Sequence, residues 1–313
     1  MHKLHSVEID VDAFGVDSEV IIPDCMSAGL DNAPELDAII TAGDLQPQVV
    51  SLVAQKVAGN FTTLALPTAI DAIGLKALGI VTSTEPGVTF YLEKFDADGV
   101  STSGNTDRSL KISAGVVVPR RITCDHQGHA TLSVDVVVAK ETGNDAIVIS
   151  DAATLPTITG DGLRWTLGSC KVGNKTLSNY TRLDIDLGNT VETRGVQSDV
   201  YDAYVEVRTH APTITLTGID PTWFSATNIP IDGLACTQAN TIIYLRKRST
   251  DGSGFVADGT EEHIKFTAAG IATVQQAFSG EAQRFSDTSL VITCIEDASS
   301  NDPIVVDTSS AIT

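Results

Sequence analysis

The sequence predicts a mainly β protein of two tandem, similar β-sandwich or half-barrel domains, each with at most one or two short helices. Three observations carry this. Segments rich in Val, Ile, Thr and Tyr recur along the chain, separated by Gly, Asn, Asp and Ser clusters, as antiparallel strands and their turns require. The second half of the sequence echoes the first. The 313 residues exceed one ordinary small domain and suffice for two, each with its own core.

The echo is clearest where VTFYLEKFDADG (Val88 to Gly99) meets TIIYLRKRSTDG (Thr241 to Gly252), with Tyr91-Leu92 over Tyr244-Leu245, Lys94 over Lys247, and Asp98-Gly99 over Asp251-Gly252. LKISAG (Leu110 to Gly115) resembles IKFTAAG (Ile264 to Gly270), and NDAIVISD (Asn144 to Asp151) resembles NDPIVVD (Asn301 to Asp307). Upstream, Pro67-Thr68 matches Pro221-Thr222. Matches in one order at a nearly constant offset imply a unit of about 155 residues, and so domains at 1–156 and 157–313.

Taken in order, VEIDVDAF (Val7 to Phe14) alternates apolar and acidic residues with a period of two, the mark of a strand with one wet face. Val7, Ile9 and Val11 then face a core, and Glu8, Asp10 and Asp12 face away. PELDAIITAG (34–43) reads as a short helix. A second helix starts with Pro67 in its first turn, carries Ile70, Ile73, Ala77 and Leu78 at helical spacing, and ends near Gly79. At the matching place Pro230 limits any helix to a turn or two. ATLSVDVVVA, TRLDIDLG, VYDAYVEVRT, PTITLTG, NTIIYLRKR and DTSLVITCIE read as strands. In TRLDIDLG the alternation places Arg182, Asp184 and Asp186 on one face and Leu183, Ile185 and Leu187 on the other. Two polar connections, 96–109 and 250–263, sit at equivalent places. A loop kept in both copies suits contacts with neighbouring subunits, with a solvated hairpin turn in each copy as the alternative. The candidate residues there are Asp96, Asp98, Asn105, Asp107, Arg108, Asp251, Phe255, Asp258, Glu261 and Glu262.

Composition excludes several function classes. With 42% hydrophobic and 19% charged residues the chain is of ordinary globular character. No apolar run approaches the ~20 residues that span a bilayer. The N-terminus lacks the apolar stretch of a signal peptide. Five scattered cysteines without a CxxC pair read as thiols of a protein made in a reducing cytoplasm. The net charge of −20 repels phosphates and argues against conventional DNA binding. Within the first fifty residues Lys3 alone faces ten acids.

Chemistry-bearing motifs are weak. His126 and His129 have HxxH spacing, but in a Gly-containing turn with no Glu or third ligand. Asp96-Ala97-Asp98-Gly99 starts like a calcium loop and then places Val100 where an oxygen ligand is required. There is no Gly-x-Ser-x-Gly elbow, Walker A sequence or Rossmann fingerprint. The expectation is a protein that is not an enzyme, with no catalytic residue, metal or cofactor.

The stretch from Gly162 to Pro221 carries a GNxxL hairpin entry (Gly173 to Leu177), an acidic alternating strand ending at Gly188, and VYDAYVEVRT followed by PTITLTG. In this it resembles the core of tail tube proteins of long-tailed phages. That resemblance implies β-sandwiches or half-barrels with a flanking helix, whose inner sheets join around a ring. Rings stack into a tube, and a long loop docks on the next ring. A duplicated subunit implies trimeric, pseudo-hexameric rings, with hexamers of the whole chain as the alternative. The implied partners are the chain itself and other phage tail proteins, with DNA passing through without specific binding and no membrane. The location is the virion, after assembly in the host cytoplasm. Glu8, Asp10, Asp12, Asp184 and Asp186 are then candidate lumen-facing acids, repelling phosphates from the bore. Two other readings stay open: another virion structural protein of the head or neck, and a bacterial β-sandwich binding module with or without calcium.

Overall fold

The computed structural model describes the chain except residues 1, 11–18, 41, 43–45, 47–48, 82–86, 97, 102–105, 141–145, 159–161, 196–199, 253, 281–286 and 298–301. The first half contains β1 (His2–Asp10), β2 (Glu19–Ile22), β3 (Cys25–Ile39), β4 (Val49–Thr63), helix α1 (Leu66–Ile73) and β5 (Leu78–Val81). It continues through β6 (Val88–Lys94), β7 (Asp107–Ile112), β8 (Ala114–Asp125), β9 (Thr131–Val138) and β10 (Ile147–Ala153). The second half has β11 (Trp165–Val172), β12 (Lys175–Thr176), β13 (Tyr180–Asp186), β14 (Asn189–Gly195), β15 (Asp202–His210) and β16 (Thr213–Gly218). After a 3-10 turn at Pro221–Trp223 come β17 (Leu234–Cys236), β18 (Thr241–Lys247), β19 (His263–Ala268), β20 (Gly270–Ser279), β21 (Asp287–Cys294) and β22 (Ile304–Ser310). The protein is mainly β, and α1 is the one α-helix among the described residues.

The strands pair antiparallel, and their order repeats. One five-stranded sheet runs β10-β7-β6-β1-β2, and another runs β22-β19-β18-β11-β12. A ten-stranded sheet contains β3-β4-β9-β8-β5 from the first half and β13-β16-β21-β20-β17 from the second. The two series join where β8 pairs with β13. Between β13 and β16 the second half inserts the ribbon β14–β15.

Alternation builds these layers. In β9, Leu132, Val134, Val136 and Val138 are buried while the residues between them are partly exposed. Val7 and Ile9 of β1, Phe90 of β6 and Ile112 of β7 meet Phe61, Ile122 and Leu132 of the ten-stranded sheet in the core. Trp165, Ile243 and Phe266 likewise meet Leu183, Ile185, Ile214 and Ile292. Burial of such side chains contributes about 1.5–3 kcal/mol each.

Equivalences extend to single residues. Gly115 and Gly270, 155 positions apart, open β8 and β20 with φ of 149° and 158°, facing Val138 and Cys294. A register shift follows in each strand, between Pro119 and Arg121 and between Val274 and Gln276. Asp107 and His263, both buried, accept the backbone N–H of Lys94 (2.7 Å) and Lys247 (3.0 Å) at the ends of β6 and β18.

Three sequence expectations need correction. Residues 34–39 of the expected helix at 34–43 belong to β3, which pairs with β4 along its whole length. Helix α1 ends at Ile73, because Gly74 turns the chain with φ 70°, and Leu78 already begins β5. LKISAG and IKFTAAG do occupy equivalent strands, but Ile264 opposes Leu245 as Arg108 opposes Leu92, so Leu110 corresponds to Phe266.

Candidate functional site

The joint between β8 and β13 brings together the most chemically distinctive side chains. Leu183 and Ile185 are fully buried in the core, so Asp184 and Asp186 project from the opposite face of the ten-stranded sheet. There Asp184 stands across from Thr123 of β8 and Thr215 of β16. Asp184 is only 7% exposed. Arg121 forks onto both its oxygens, and the Arg182 guanidinium lies 3.6 Å away. The hydrogen bond to Asp184 raises the Arg121 pKa above its ordinary value. Asp186 remains exposed and accepts the Gly188 N–H at 2.9 Å. Arg120 pairs with Asp135 at 2.7 Å. Around these charges Thr123, Thr131, Ser133, Thr213, Thr215 and Thr217 fill the cross-strand positions. The face is hydroxyl-rich, and most of its carboxylates are engaged by arginines.

Glu8 and Asp10 are elsewhere. They lie on β1 in a five-stranded sheet, and with Val7 and Ile9 buried they point away from the ten-stranded sheet. The two acidic strands therefore lie in different sheets. Glu8 accepts the Tyr91 hydroxyl at 3.3 Å; burial, then the nearby Glu19 charge, raises its pKa above the usual carboxylate value. Asp12 lies outside the described residues.

No protein-family model matches this chain, and no curated protein matches it.

The two polar connections fold back on their own sheets. Asp96 accepts the N–H groups of Asp98 (3.1 Å) and Val100 (3.0 Å) in a tight turn. Asp107 and Arg108 are on β7; Asp107 is buried, and Arg108 reaches Asp151 at 2.6 Å. Asn105 lies outside the described residues. In the second connection Phe255 lies under Arg246 (4.7 Å) and Arg248 (5.4 Å). Asp258 pairs with Arg246, Glu262 with Lys247, both at 2.8 Å. Glu261 accepts Ser309 Oγ through its carbonyl, and Asp251 accepts Ser249 Oγ.

Groups suited to covalent or metal chemistry are sparse. Among the described residues no three His, Cys, Asp or Glu side chains gather as a metal site. His126 and His129 lie in the connection between β8 and β9. Burial pushes the Cys25, Cys124 and Cys294 thiols up to about 12, so they carry little thiolate character. No described helix is long and apolar enough to cross a membrane.

The strongest feature is one that the sequence reading missed, the two ends of the ten-stranded sheet. β3 pairs on one side with β4, and among the described residues its other edge has no partner strand. β20 pairs with β21, and its opposite edge is covered by β17 only over Gly270–Ala272. Among the described residues no strand covers its continuation through Phe278, which is 67% exposed. The signal for this edge was available in the 155-residue offset between Gly115 and Gly270, which makes β20 the counterpart of β8.

Proposed function

We propose that this protein is a virion structural protein, the subunit of a phage tail tube, assembling into trimeric, pseudo-hexameric rings that stack around a passage for DNA. The observation that carries the reading is the ten-stranded sheet. Two similar series of strands are already joined edge to edge through β8 and β13, and among the described residues the same two kinds of edge stand open at its ends. Repeating one rotation that joins unequal edges generates a ring or a filament without any catalytic residue. Unpaired strand edges are templates for another chain, and a folded protein that keeps them open uses them or risks aggregation.

The bore in this reading is the outer face of the ten-stranded sheet, with Asp184 and Asp186 on it and Glu8 and Asp10 on the outside. Hydroxyls and arginine-engaged carboxylates keep such a wall hydrated while offering phosphates little net positive charge. The exposed apolar residues of the β3–β4 ribbon, Leu36, Ile39, Val50 and Val53 among them, are further surface for neighbouring subunits or for other tail proteins. The test is mass measurement and negative-stain microscopy of the purified chain across a concentration series. Rings of three chains, or tubes built from them, are expected. A chain that stays monomeric at high concentration sinks the reading.

A further inference from the structure

We propose that Asn189 and His210 form an acid-sensitive latch, which holds the β14–β15 ribbon on the first half of the chain while the imidazole is neutral and releases it when Nε2 takes a proton. The ribbon depends on such a hold. Among the described residues β14 and β15 pair only with each other, and Asn189 is the one buried residue of the two strands. Its side-chain amide donates to the carbonyls of Leu75 (3.0 Å), just past α1, and of Pro119 (2.7 Å), at the register shift of β8. Arg120 of β8 donates to the Asn189 carbonyl. Further along, Gln55 N–H donates to Val200 O at 2.6 Å and Lys140 N–H to Asp202 O at 2.9 Å.

This geometry fixes a protonation state. With its N–H groups spent on two carbonyls, the Asn189 amide turns Oδ1 toward His210, whose Nδ1 lies 2.8 Å away and carries the hydrogen of that bond. Nε2 of the neutral ring is then a bare acceptor. It is buried, and among the described residues nothing hydrogen-bonds it. His210 lines a crevice of about 360 Å³ between the end of α1 and β22, with Ile73, Leu75 and Ile304 among the other walls. The charged groups facing it there are Lys76 and Asp302, paired with each other at 2.5 Å. On β8 Arg120 is paired with Asp135, and Glu192, Arg194, Glu206 and Arg208 of the ribbon pair among themselves.

A proton reverses the balance. It adds a donor at an atom that has no partner in the docked ribbon, and it sets a second positive charge beside the Lys76 ammonium. Burial, then the Lys76 charge, holds the His210 pKa below its ordinary value of 6.5, outweighing Asp302 and the Leu187 carbonyl, which act the other way. Once the ribbon is undocked the ring stands in water and titrates normally. A depressed histidine pKa means that docking is at full strength above pH 6.5 and weakens as pH falls toward the docked value. Within that window the ratio of docked to open ribbon drops about tenfold per pH unit. The ribbon opens without the sheets because an exposed, thinly anchored element opens locally at less cost than the core.

The test is amide hydrogen exchange on the full chain at pH about 7.5 and about 5.5, corrected for intrinsic rates. Exchange of the His210 ring C2 hydrogen is followed alongside, because it reports the imidazole pKa. In the parent, β14 and β15 are expected to lose protection at the lower pH while β9 and β13 keep theirs, and His210 is expected to titrate below 6.5. H210Q retains a donor for Asn189 without a titrating group, so its ribbon is expected to be equally protected at both values. N189A is expected to open the ribbon at both. Ribbon protection in the parent that ignores pH, a pH response that survives in H210Q, or a His210 pKa at or above 6.5 overturns the latch. An H210Q ribbon that is open throughout leaves the decision to the parent, where a merely structural histidine would not tie ribbon exchange to its own titration. None of these readouts requires the chain to assemble, so their failure leaves the tube reading standing.

Discussion

Gly115 and Gly270 show how single atoms fix the architecture. A Cβ on Gly115 would lie 2.0 Å from the Val137 carbonyl oxygen, and one on Gly270 would lie 2.1 Å from that of Thr293. Each glycine lets β8 or β20 close onto its neighbour at the point where β5 or β17 also attaches. Replacing either by Ala forces backbone apart, so G115A and G270A are each expected to cost about 3 kcal/mol in chemical denaturation. Equal losses would show that the two positions are mechanically equivalent. At the inner joint, Asp184 is buried beneath Arg121 and Arg182, so removing one partner strands the other. Arg121 is half exposed and water reaches it. A double-mutant cycle on D184A and R121A is therefore expected to give a coupling of about 1–2 kcal/mol, short of a fully buried pair.

Among the elements, β1 places an acid at a cost. The folded chain holds the Glu8 pKa above its ordinary value, so its ionised form opposes folding at neutral pH. A raised carboxyl pKa means that stability is gained as pH falls through the folded value toward 4.5, and the penalty is fully present above it. E8Q keeps an oxygen for the Tyr91 hydroxyl and removes the charge. It is expected to melt higher than the parent at pH 7 and level with it below pH about 4. A stabilisation that persists in acid would assign the effect to packing instead.

The strands of the sandwich were legible because each has one dry face; β9 and β13 display their buried positions in the order of their residues. The β3–β4 ribbon was not legible. From Asp31 to Ile39 every residue is exposed, so no alternation marks the strand, and Leu36 and Ile39 mimic helical spacing. The ladder to β4 decides the conformation, and that partner is set by the hairpin rather than by local pattern. Pro34 fits because its opposite, Gln55, turns its N–H to Val200 O at 2.6 Å. That pair exchanges no ladder bonds, and proline removes no donor from it. Arg121 was missed for a related reason: its role depends on β13, sixty-odd residues away, and no local pattern announces a partner at that distance.

At the scale of the whole molecule the outer face of the ten-stranded sheet is the surface with most to lose from added positive charge. The exposed Asp186 and its neighbours Thr213 and Thr215 lie on it, and all can be changed without disturbing the core. With these three replaced by Lys, tubes are expected to form but to retain DNA, and the retention is expected to weaken steeply with added salt. Indifference to DNA in the triple variant would move the bore to another face. The ion-paired inner joint has a further consequence, which concerns concentration. Because β8 and β13 share one chain, their encounter is intramolecular, and it proceeds at the effective concentration set by a short tether. In the proposed ring, three such chains need only three bimolecular encounters for closure, where six separate units would need six.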